Sequence, residues 1–140
     1  MKPIHLFDTF QGMPKTNKQV DYHVEGDFHD TSLPDVQQYL HNYRNTKFYK
    51  GLFPNSANSL PQDTRFSFVH LDVDIYESTY AALEFFYSRL NRGGCLISHD
   101  YSSMSCPGVK KAFDDFFKDK PEKLIPLWKS NVLMIKCMSL

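Results

Sequence analysis

Glycine is scarce in this chain and badly placed for one large class of function. Its six glycines, Gly12, Gly26, Gly51, Gly93, Gly94 and Gly108, include no G-x-G spacing. No glycine-rich nucleotide loop lies within these residues. Cysteine is also sparse: Cys95, Cys106 and Cys137 are odd in number, widely spaced and without a C-x-x-C pair. That argues against both a disulfide framework and a zinc knuckle, and leaves buried or partly buried thiols. An excess of charge is missing too, since 16 Lys and Arg balance 16 Asp and Glu. Neither nucleic acid nor an anionic membrane surface is favoured as a partner. No apolar run approaches the ~20 residues that span a bilayer, and no signal-peptide pattern is present. The cytoplasm is the expected compartment.

What the chain does have is core material. With 140 residues, 41% hydrophobic and 15% aromatic, it fits one domain of ordinary size. Ile4 to Phe7 read as a short strand ending at Asp8, followed by a loop marked by Gly12 and Pro14. A polar stretch runs to Asp30. Leu33, Val36, Leu40 and Tyr43 then recur at helical spacing, with Ser32 and Asp35 as a capping pair and an end near Arg44. Lys47 to Lys50 suggest a brief strand, and Ser56 to Leu60 a helical turn.

Arg65 to Val73 is apolar at successive positions, which predicts a parallel strand at the sheet centre, covered on both faces. Thr79, Ala82, Leu83, Phe86 and Leu90 give a helical stripe closed by Asn91, Arg92, Gly93 and Gly94. Cys95 to Ser98 follow as a strand. Pro107 opens a helix whose face is Val109, Ala112, Phe113, Phe116 and Phe117, reaching about Lys120. Leu124 to Trp128 and Val132 to Cys137 are closely joined and predict an antiparallel hairpin. The whole predicts an α/β layer architecture without internal repeat or second domain.

Acids stand at three strand ends: Asp8, the pair Asp72 and Asp74 in HLDVDIYEST, and Asp100 beside His99 in GGCLISHDY. Ligands of open parallel sheets bind beyond the carboxyl ends of the strands, so if these strands are parallel the acids share one rim. Carboxylates there suit a hard divalent cation, and residues two apart on a strand point to one side, so one acid can hold metal while another accepts a proton. The blander alternative for Asp74 is the N-cap of the helix beginning at Tyr76. Asp27, His29 and Asp30 read as a polar entry loop, and His5, His23 and His41 show no ligand spacing. His70 reads as a core histidine, and Phe116 with Phe117 as a core stripe.

The series LFDTFQGMP, KGLFPNSANSLP, HLDVDIYESTYAALEFFYSRLNRGGCLISHDYSS and PGVKKAFDDFF resembles the macrocin O-methyltransferase family over nearly the whole chain. The resemblance implies a Rossmann-like class I methyltransferase sheet, its last strand antiparallel, incomplete at the N-terminus because the family's first strand and glycine-rich loop have no counterpart here. It implies S-adenosylmethionine as cofactor, with Asp8 on the ribose hydroxyls. It implies Asp72, His99 and Asp100 as ligands of a divalent cation, magnesium or manganese, and Asp74 as general base. His99 stands where the family usually has aspartate, which favours softer ions than magnesium. The expected partner is a small-molecule acceptor, a hydroxyl on a sugar of a secondary metabolite. A complementing N-terminal segment or a second copy is a further expected partner. The alternative is a catalytically inactive remnant serving as a binding or assembly module.

Overall fold

Sequence periodicity resolves into ten elements in the computed structural model, which describes residues 2–137. They are β1 (Ile4–Asp8), α1 (Leu33–Tyr39), β2 (Thr46–Lys50), a 3-10 turn (Asn55–Ala57), β3 (Phe66–Leu71), α2 (Tyr76–Tyr87), β4 (Leu90–Ser98), α3 (Pro107–Phe117), β5 (Leu124–Pro126) and β6 (Val132–Ile135). The chain divides into two compact units, Met1–Thr16 with Val24–Leu60, and Asn17–His23 with Pro61–Leu140.

In the first unit, β1 and β2 pair in parallel from Ile4 opposite Thr46 to Asp8 opposite Lys50. Phe7 stacks on Tyr49 with ring centroids 4.6 Å apart, and His5 Nδ1 lies 2.9 Å from the Tyr49 hydroxyl. α1 starts as its sequence predicts: the Asp35 amide donates to Ser32 Oγ, which donates to Asp35 Oδ2. It stops at Tyr39, short of Arg44, and buries no residue. Without an apolar face to bury, a short helix gains little from lengthening. The loop after β1 is held by the Met13 amide on the Asp27 carbonyl at 2.6 Å and the Gly26 amide on the Met13 carbonyl at 2.9 Å.

The second unit carries a sheet of order β3-β4-β6-β5, parallel between β3 and β4 and antiparallel in the closing hairpin. β3 is therefore an edge strand, not the expected centre. Nor is it covered on both faces: Val69 and Leu71 are buried, but Phe68 is 57% exposed and His70 is exposed rather than in the core. α2 and α3 pack on each other, and their buried stripes of Thr79, Ala82, Leu83 and Phe86, and of Val109, Ala112, Phe113, Phe116 and Phe117, follow the predicted spacing, except that Leu90, expected on the α2 stripe, opens β4. α2 ends at Tyr87, and the Asn91 to Gly94 segment is strand instead of helix stop. Phe66 pairs with Leu90 and Phe68 with Cys95, so β4 bulges between them. Gly93, with φ +71, meets the left-handed backbone this bulge needs.

One buried charge ties this unit together. Glu122 is 3% exposed and accepts from the Tyr87 hydroxyl at 2.7 Å, from the Cys137 amide at 3.2 Å, and from Lys136 Nζ at 3.0 Å. Burial opposes its ionisation, but these donors outweigh it and hold the carboxyl below its ordinary 4.5. A depressed acid pKa contributes stability above the unfolded value and loses it as pH falls through the folded one. Glu122→Ala is expected to cost about 3 kcal/mol in urea unfolding at neutral pH, because it leaves Lys136 without its buried partner.

Candidate functional site

β3 and β4 run parallel and end side by side, Leu71 opposite Ser98. The ladder continues one step beyond, where the His99 amide donates to the Leu71 carbonyl at 2.9 Å. This places Asp72 directly against His99 and Asp100. His99 Nδ1 lies 2.6 Å from Asp100 Oδ2 and 3.2 Å from Asp72 Oδ1. Asp74 and Asp100 both sit in the left-handed region, φ +58 and +60. Aspartate tolerates that conformation better than most residues, and it turns each chain sharply at the strand exit. Because β3 ends at Leu71, Asp72 and Asp74 leave the strand's alternation, and Asp72 is exposed rather than buried.

Two triads of ligand atoms result, Asp72 with His99 and Asp100, and Asp74 with Asp100 and Cys106, each set lying within 4.8 Å. The three predicted metal ligands and the predicted base thus form one cluster at one rim. Asp8 ends β1 in the other unit, where one of its oxygens accepts from the Phe10 amide at 2.5 Å.

Charge is crowded at the rim, and proton affinities respond. Asp74 is pushed up to about 6, first by burial, then by its hydrogen bond with Asp100 and by the negative charges of Asp72 and Asp100. His99 is raised chiefly by its hydrogen bond to Asp100, with the three acids adding to it against a smaller burial effect. Such a His99 contributes stability below its ordinary 6.5, lost as pH rises through the folded value.

The helix cap that Asp74 could have supplied comes from elsewhere. Asp21, 5% exposed, accepts from the Tyr76 amide at 2.8 Å and from the Asn17 amide at 3.1 Å. Its segment also carries His23, whose Nε2 lies 3.6 Å from Cys106 Sγ, itself 3.9 Å from Asp74 Oδ1. Asp21, His23 and Cys106 have no signal in hydrophobic periodicity, because they lie in loops and meet only through the fold. Gly108 is the nearest thing to a clue: a Cβ there would collide with Asp21 Oδ1 and lie 2.8 Å from the Tyr76 amide.

A parallel pair with acids at its carboxyl ends and an antiparallel closing hairpin fit the Rossmann-like sheet of methyltransferases. The sequence profile of the Macrocin-O-methyltransferase (TylF) family matches residues 1–128, and the chain belongs to that family. It is 28% identical over 126 residues to demethyldecarbamoylnovobiocin O-methyltransferase of Streptomyces niveus, covering 82% of this chain and 47% of the relative. It is 29% identical over 114 residues to the 8-demethyl-8-(2,3-dimethoxy-alpha-L-rhamnosyl)-tetracenomycin-C 4'-O-methyltransferase of Streptomyces olivaceus, covering 74% of this chain and 43% of the relative. The chain therefore spans under half the length of these curated relatives. Among solved structures it is similar to the O-methyltransferase NovP, with TM-score 0.81 and 26% identity, over 97% of this chain and 60% of that one. The calicheamicin methyltransferase CalS11, at TM-score 0.76 and 21% identity over 95% of this chain and 60% of that one, shares the fold.

Asp100→Asn removes both a charge and an acceptor from the rim. In an NMR pH titration the His99 imidazole is expected to fall toward 6.5 and Asp74 to fall below about 6 together; unmoved values would contradict this coupling. Gly108→Ala is expected to cost about 1–3 kcal/mol in thermal or urea unfolding, because backbone and a buried carboxylate must give way.

Proposed function

We propose that residues 1–140 form one methyltransferase domain. It contributes the cation and base half of an S-adenosylmethionine-dependent, divalent-metal-assisted O-methyltransferase acting on a hydroxyl of a glycosylated metabolite. The observation that carries this is the rim cluster of Asp72, Asp74, His99 and Asp100 at the ends of one parallel strand pair. The relative named as a 4'-O-methyltransferase of a rhamnosyl-tetracenomycin favours a sugar hydroxyl as acceptor. Free cysteines and a balanced charge fit a cytoplasmic enzyme of small molecules, without nucleic acid or membrane as partner. Among the described residues no helix is long and apolar enough to cross a membrane.

The donor set fits a divalent cation. Two carboxylates and an imidazole suit manganese or magnesium, with His99 shifting preference toward manganese. His99 must give up its proton to ligate, so cation affinity rises with pH. For the cofactor, Asp8 at the end of β1 would hold the ribose end. When bound, the two groups supply an electrophilic methyl and a lowered hydroxyl pKa. Asp74 takes the acceptor proton, and its raised pKa makes it a stronger base than an ordinary carboxylate. Asp72 and Asp100 would hold the cation, and through it would fix where the acceptor hydroxyl sits, replacing a bimolecular search by a fixed geometry.

A second reading has its own observation. β3 stands at an edge of its sheet, where Phe68 and Ile135 expose an apolar face. That is a place for an additional strand and helix, supplied by a further segment or by a second copy. Without such a partner the chain would be an inactive module that binds or assembles.

Separate titrations distinguish these possibilities. Manganese added to the 140-residue chain is expected to bind saturably by water-proton relaxation, with affinity falling at least about tenfold in Asp72→Ala and little change in folding. No saturable binding would remove the cation site. S-adenosylmethionine at about 1 mM is expected to give weak heat or none with this chain alone, and measurable heat once an N-terminal strand and glycine-rich turn are joined to it. In that completed protein, with manganese saturating at every pH so that His99 is already unprotonated, the methylation rate is expected to rise with pH as Asp74 ionises. Asp74→Asn should abolish the rise while keeping or improving stability at pH 8, because it relieves like-charge repulsion and tolerates a φ of +58.

A further inference from the structure

A buried free cysteine ordinarily packs as a small hydrophobe. Cys106, 3% exposed at the start of α3, instead meets polar groups. Its Sγ lies 3.6 Å from His23 Nε2, 3.6 Å from Ser105 Oγ and 3.9 Å from Asp74 Oδ1. Asp74, Asp100 and Cys106 each bring a ligand atom within 4.8 Å of the other two. A thiol has one weakly donated proton, so it cannot donate to an imidazole, a hydroxyl and a carboxylate at once. Three segments supply these groups, and each is fastened. The carboxylate of Asp21 accepts from the Asn17 and Tyr76 amides, which pins the stretch carrying His23 against α2. Beyond β3, the Ile75 amide on the Val73 carbonyl at 2.7 Å closes the turn that holds Asp74. Cys106 is fixed by its own amide on the Ser103 carbonyl at 3.2 Å, and its carbonyl takes the Val109 amide at 3.0 Å.

A thiol, an imidazole and carboxylates are the donors that zinc takes in a four-coordinate, tetrahedral site. Bonds of about 2.3 Å to sulfur and about 2.0 Å to nitrogen or oxygen, at tetrahedral angles, put the sulfur about 3.5 Å from each other ligand atom. The separations of 3.6 Å to His23 and 3.9 Å to Asp74 are that spacing, slightly opened. The neighbouring triad of Asp72, His99 and Asp100 offers no sulfur and suits harder ions. The rim therefore holds two donor sets of different softness, with Asp100 common to both.

We propose that His23, Asp74, Asp100 and Cys106 hold a thiophilic divalent cation of the zinc class, at a site beside that of Asp72 and His99. On binding, the Cys106 sulfur bonds to the ion and its proton leaves to solvent, with no electron transferred. Asp74 then gives its lone pair to the ion and accepts no proton from an acceptor hydroxyl. Zinc thus closes the base by occupying it. The binding stands by itself; this consequence rests on the role of Asp74 proposed above.

Cobalt(II) takes the place of zinc and reports its ligands by absorption. The probe is added to the 140-residue chain carrying Cys95→Ser and Cys137→Ser, which leaves Cys106 as its one thiol. Visible bands of a tetrahedral ion and a near-ultraviolet thiolate-to-cobalt band are expected to saturate together at one equivalent, and zinc to displace them. His23→Ala should weaken cobalt at least about tenfold, and Cys106→Ser should abolish the ultraviolet band. Asp72→Ala should leave both bands in place. X-ray absorption at the zinc edge needs no variant within the site: one sulfur at about 2.3 Å, with nitrogen and oxygen at about 2.0 Å, is expected. A zinc shell without sulfur would overturn the proposal. So would a thiolate band that survives Cys106→Ser, or cobalt affinity untouched by His23→Ala. Manganese relaxation, measured on separate samples, reports on Asp72 and His99. Its absence with the cobalt bands intact strikes the function proposed above, and the reverse result strikes the zinc site alone.

Discussion

Everything proposed for this protein depends on the parallel pairing of β3 with β4. One ladder bond, from the His99 amide to the Leu71 carbonyl, extends the pair past its last regular residues. It brings two loops carrying acids within hydrogen-bond distance. Four ionisable side chains are then forced together where their charges cannot all be independent. Burial raises the proton affinity of Asp74 and the crowded acids add to it, while the hydrogen bond to Asp100 raises that of His99.

Supporting structure explains why that crowding is sustained. The first turn of α2 is capped not by its own preceding acid but by Asp21, reaching in from a loop more than fifty residues earlier, as the Tyr76 contact shows. Asp74 is thereby released from capping and left facing Asp100 and Cys106. Gly108 allows α3 to start close enough for Asp21 to be enclosed. At the far end of the helices, Glu122 with Tyr87 and Lys136 fixes the approach to β5, and Lys136 Nζ also lies 3.2 Å above the Tyr87 ring. A buried carboxylate at each end of the helical layer is costly to maintain unless it is fully paired, and both are.

Much of this was legible from residues alone. The stripes of α2 and α3 appear where a 3.6-residue period puts them, since burying one face decides both helix and packing. The closing hairpin follows from a connection too short for a parallel crossover. β3 misled because Phe66, Phe68, Val69 and Leu71 look alike in a sequence, while only Val69 and Leu71 are covered. An apolar run states that a segment can be buried on both sides, not that a covering layer is present. The Gly93 and Gly94 pair misled similarly, because glycine meets the geometry of a helix stop and of a strand bulge equally well.

The sequence by itself determined the family, the candidate acids and most of the elements that carry them, because those rest on local period and on residue type. Only the tertiary structure decided which acids and histidine meet at the rim and which acid caps α2. Those are facts of distance between loops far apart in the chain, and no periodicity encodes a contact that exists only once β3 and β4 have paired.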